Sequence, residues 1–77
     1  MENKTFFEKL IDQWGRENIV CIYNVDGIDK MVSVVQVNPD KFVMNFHDSV
    51  TRSQELSLYM LEVWLNKGFI KIYGRIA

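Results

Sequence analysis

The sequence predicts an α+β domain in the order helix, three strands, helix, strand, with both helices on one face of a four-stranded, mostly antiparallel sheet. Three observations predict it. Apolar residues recur at helical spacing near the N-terminus and again over residues 54–66. Between these segments lie β-branched runs punctuated by Asp26-Gly27 and Asn38-Pro39-Asp40, and the chain ends in the alternating stretch Phe69 to Arg75. The 77 residues amount to a single domain, 1–77, and a domain of this size hides only about 60% of the surface its unfolded chain exposes.

The first helix begins after Thr5, which stands three residues before Glu8 in capping-box spacing. Phe6, Phe7, Leu10, Ile11 and Trp14 follow at helical intervals until Gly15 offers a stop. Arg16-Glu17-Asn18 is a polar turn. Ile19 to Val25 reads as a strand running into Asp26-Gly27, a strong tight-hairpin signal. The second strand extends from Ile28 to Val37, and proline then imposes a turn at Asn38-Pro39-Asp40. Lys41 to His47 alternates, with Phe42, Met44 and Phe46 assigned to the helix-covered face. Val20, Ile22, Val32, Val34 and Val43 are expected on the opposite face, an apolar patch suited to an interface. Thr51 or Ser53 is expected to cap the second helix, which ends at Lys67-Gly68, and Phe69 to Arg75 forms the closing strand.

Composition narrows the function classes. An apolar share of 48% with ten aromatic residues marks a chain that folds. A net charge of −1 provides no global field for nucleic acid or an anionic membrane. Lone Cys21, set in Ile19-Val20-Cys21-Ile22-Tyr23, reads as a buried small hydrophobe in a reducing compartment. Met1-Glu2-Asn3-Lys4 leads into an amphipathic segment instead of a signal core, and no apolar run approaches a membrane span, so a cytoplasmic location is expected.

Catalytic constellations are sparse. His47-Asp48 is the one pair, and adjacent strand residues point to opposite faces, so it reads as a strand-end His beside a capping Asp. Asp26, Asp29 and Asp40 lack the ladder spacing of a calcium loop, and the four glycines are dispersed. No catalytic, metal or cofactor residues are assigned, and a non-enzymatic protein is expected. The second helix is more telling. Leu56, Leu58, Met60, Leu61, Val63, Trp64 and Leu65 cover most of its circumference, leaving Glu55, Glu62 and Asn66 in a narrow polar sector. A helix this apolar wants partners on two sides, the other helix, a second copy of the chain or a target protein; Tyr59, Met60 and Trp64 are the expected interface residues, the alternative being burial within the monomer beneath the first helix and over the sheet. The leading expectation is a protein–protein interaction module, a homodimer acting as an inhibitor or adaptor, of the compact kind frequent among phage and mobile-element accessory proteins.

The alternative is RNA or single-stranded nucleic-acid binding. Phe69, Lys71, Tyr73 and Arg75 alternate with Ile70 and Ile72, so rings and cations would share one face of the last strand. Phe6 to Asn45 also resembles the first half of an Sm-like domain: a short helix, a strand, the Val25-Asp26-Gly27 turn, a long strand, and Asp40 ahead of Met44-Asn45. Ile72-Tyr73-Gly74-Arg75-Ile76 is loosely similar to that family's second motif, with the order of Arg and Gly reversed. Ser33 stands where the family pattern has glycine, and the spacing to Asp40 needs one inserted residue. The resemblance implies an RNA-binding ring.

Overall fold

The computed structural model describes residues 4–76, so Met1-Glu2-Asn3 lies outside the described residues. The chain runs α1 (Phe6–Trp14), β1 (Ile19–Val25), β2 (Ile28–Asn38), β3 (Lys41–Phe46), β4 (Gln54–Ser57), α2 (Leu58–Lys67) and β5 (Ile70–Arg75). The sheet has five strands in the order β4-β3-β2-β1-β5, and every pairing is antiparallel. The α+β class and the two helices agree with the sequence. The strand count and element order do not, because Gln54 to Ser57 extends as β4 where a first helical turn was expected.

Pairing explains the difference. Gln, Glu and Leu favour helix locally, but β4 covers the edge of β3, setting Leu56 opposite Phe42 and Glu55 opposite Val43. Leu56 thereby packs against the core. Ser57, not Thr51 or Ser53, caps α2, its hydroxyl accepting from the Met60 N–H at 3.1 Å. At the other end of α2, Gly68 takes the left-handed conformation (φ 82°), and Phe69 N–H closes the turn on the Trp64 carbonyl at 2.9 Å.

The Thr5–Glu8 capping box forms in both directions, with contacts of 3.3 and 2.9 Å. Such a cap typically stabilises by about 1 kcal/mol. A further donor of the first turn, Phe7 N–H, is taken by the Glu62 carboxylate of α2 at 2.9 Å. Glu62 thus serves as a bolt between the helices. Asp26 and Gly27 both have positive φ (52° and 82°), and Val25 stands opposite Ile28, the geometry of a tight hairpin.

One core joins both helices to one sheet face. Phe7 and Leu10 from α1 and Leu61 from α2 meet Ile19, Cys21, Val32, Val34, Phe42, Met44 and Ile70. Val32 and Val34 are fully buried here, correcting their expected place on the opposite face. They stand directly across from Phe46 and Met44, and directly opposed residues share a face. The opposite face instead carries Val20, Ile22, Met31, Ser33, Val35 and Val43, which alternate with the core positions.

Cys21 belongs to the core, and burial pushes its thiol up to about 12. It should therefore resist a thiol reagent such as Ellman's at neutral pH until the chain unfolds, with the labelling rate following urea concentration through the transition. Fast labelling of folded protein would refute that burial.

Candidate functional site

Among the described residues, the closing strand is an edge strand paired only with β1. Its register breaks at one point: Ile72 stands opposite Cys21, but Gly74 stands opposite Val20, leaving Tyr73 as the extra residue of a bulge. The four candidate nucleic-acid residues are therefore not on one face. Lys71 faces Ile22 on the open side, whereas Arg75 faces Ile19, a core residue, and so lies toward the helix side of the sheet. Tyr73 is 66% exposed. Phe69 precedes the strand, its carbonyl accepting from Asn24 N–H at 2.9 Å, and turns toward the hairpin end of β1.

The helix residues divide by depth. Tyr59 is 73% exposed and Met60 only partly so, while Leu61 beside them is fully buried. Trp64 is half-buried, its ring stacked on Tyr23 at 5.3 Å between centroids with planes 5° apart. Tyr23 continues the row to Phe46 at 5.9 Å. Trp64 is thus engaged within the monomer while remaining partly accessible. Trp64 and Phe69, assigned from the sequence to different roles, come together with Tyr23, Asn24, Val25 and Asp26 around one open hollow of about 270 Å³. No spacing in the sequence links residues 23–26 to 64–69. Only the β1–β5 pairing joins them.

His47 and Asp48 part company. The His47 Nε2 lies 2.6 Å from the Ser33 hydroxyl across the strand pair. Asp48 turns into the loop after β3, accepting from Thr51 N–H at 2.7 Å, the Thr51 hydroxyl at 2.7 Å, Val50 N–H at 3.1 Å and Lys30 Nζ at 3.2 Å. The Thr51 backbone and side-chain bonds foremost hold its carboxyl well below its ordinary value of 3.8. Because ionisation is favoured in the folded chain, Asp48 contributes stability above that ordinary value, and the contribution is lost as pH falls below it. The melting temperature of Asp48→Asn is therefore expected to vary less than that of the parent over roughly pH 5 to 2. Parallel pH profiles would contradict the loop-capping role.

Among the described residues, no three His, Cys, Asp or Glu side chains converge as a metal site, and no helix is long and apolar enough to cross a membrane. The chain matches no protein-family model, and no curated protein or solved structure shows significant similarity to it.

Proposed function

We propose that the chain is a non-enzymatic protein–protein interaction module that associates with itself and serves as an inhibitor or adaptor of a larger protein. The observation carrying this reading is the edge of β5, which no strand among the described residues pairs, bordered by exposed Phe69, Tyr73 and Ile76. A free edge presents a row of backbone donors and acceptors that another strand satisfies. Exposed aromatic and aliphatic side chains beside that row supply apolar area on contact. Two copies pairing their β5 edges across a two-fold axis extend the sheet into a continuous dimer. Centred on Ile72, such pairing sets Lys71 against the second copy's Tyr73, a cation against a ring and not against a like charge.

Mass under native conditions, with absorbance at 260 and 280 nm, tests the reading. A nucleic-acid-free dimer is expected, and Tyr73→Glu is expected to weaken association at least about tenfold by forcing a charge into the contact. The far-UV spectrum should be unchanged, since Tyr73 lies outside the core. A monomer at every concentration overturns the proposal.

RNA binding of the Sm-like type is a second reading. Exposed Lys71 and Tyr73 on β5 favour it, placing a cation near a stacking ring. A ring-sized oligomer carrying RNA, with affinity falling steeply as salt rises, selects this reading over the first.

A further inference from the structure

The hollow beside the β1–β2 hairpin is lined by three aromatic residues and one charged one. Tyr23, Trp64 and Phe69 supply the rings, and Asp26 is the only charged residue among the described residues lining it. Trp64 and Phe69 bracket the C-terminal end of α2, where Lys67 in the last turn already offsets the negative end of the helix dipole. Aromatic rings and a carboxylate together favour a positive charge and disfavour phosphate. The far end of the same aromatic row already accepts one: Lys30 Nζ sits 5.7 Å from the centroid of Phe46, which adjoins Tyr23.

From this convergence we propose that the hollow is the socket for an arginine side chain of the partner protein. The proposal rests on reading the chain as a protein-interaction module and adds the chemistry by which the partner is gripped. A volume of about 270 Å³ is below the range of small-molecule pockets and suits one long side chain. Arginine fits better than lysine, because its planar guanidinium stacks on a ring face while its fork of donors engages a carboxylate. The hairpin that carries Asp26 is braced for this task. Asn24 accepts from Gly27 N–H at 3.3 Å and donates to the Asp29 carboxylate at 2.8 Å, so the Asp26 backbone is fixed in its turn. Tyr23 stacked behind Trp64 holds the indole in place.

The test is a ¹⁵N NMR titration of the full chain with a capped Gly-Arg-Gly peptide, compared with the same peptide bearing citrulline. Citrulline keeps the size and planarity of the arginine side chain and removes its charge. Saturating shifts are expected at the Trp64 indole N–H and at the Gly27 and Phe69 amides with the arginine peptide alone. Asp26→Asn, which suits the positive φ of that position, and Phe69→Leu, which keeps apolar bulk without a ring, are each expected to weaken binding at least about threefold. Equal response to citrulline, or unchanged affinity in both variants, overturns the socket. So does tetramethylammonium binding as tightly as the peptide, which identifies a small-cation site, or oligouridylate moving the same resonances in place of the peptide, which identifies a base site. Persistent self-association with no peptide response removes the socket and leaves the interaction reading standing. A peptide-responsive monomer removes self-association and leaves the socket.

Discussion

Phe42→Ala is expected to cost about 4 kcal/mol of folding stability. Phe42 is only 1% exposed, its ring lies 6.3 Å from that of Phe7, and it stands opposite Leu56 of β4. Truncation therefore opens a cavity where α1, β3 and β4 meet. A chain of this length has roughly 4–12 kcal/mol in total, so the loss is a large share of it. Urea unfolding followed by circular dichroism measures the change in midpoint. A change below about 1 kcal/mol would mean that the site collapses around the smaller side chain and that β4 is held by other contacts. Hydrogen exchange adds a local reading, because the amides of residues 54–57 should lose protection before those of β1 and β2.

Leu61→Ala and Met60→Ala are expected to diverge although the residues are neighbours on α2. Leu61 is fully buried against the sheet, and its truncation should destabilise by about 3 kcal/mol. Met60 is 37% exposed, and its truncation should shift stability by no more than about 0.5 kcal/mol, with any larger effect confined to association. Comparing urea midpoints at low protein concentration with dissociation constants at high concentration separates the two. Equal destabilisation of the monomer by both variants would place Met60 in the core and remove it from the candidate interface.

Local chemistry was legible wherever neighbours in sequence are also partners in space. The Thr5–Glu8 box, the Asp26-Gly27 hairpin, the turn at Pro39, the inward set Phe42, Met44 and Phe46, and the stop at Gly68 each depend on residues a few positions apart. Elements that depend on distant partners were not legible. Gln54 to Ser57 reads as helix until β3 offers it an edge. The sequence places Val32 and Val34 on the wrong face because Met31 and Val35 stand on one face of β2 and Val32 and Val34 on the other, and Ser33 alone is a weak guide. Their position opposite Phe46 and Met44 decides it.

The candidate sites divide in the same way. The sequence points to Tyr59, Met60, Trp64, Phe69, Lys71, Tyr73 and Arg75 and sets the last four on one strand face, which the register of β5 does not allow. The bulge at Tyr73 sends Lys71 and Arg75 to opposite faces of the sheet, and a bulge is a property of two strands in register, not of one. By itself the sequence determined the α+β class, the two helices with the start of the first and the end of the second, the hairpin and the burial of Cys21, because propensity, capping and turn geometry act over a few residues. Only the tertiary structure decided the fifth strand, the face of Val32 and Val34, and the meeting of Tyr23, Asp26, Trp64 and Phe69. Those outcomes depend on which backbone edges find partners, and that competition is settled across the whole sheet.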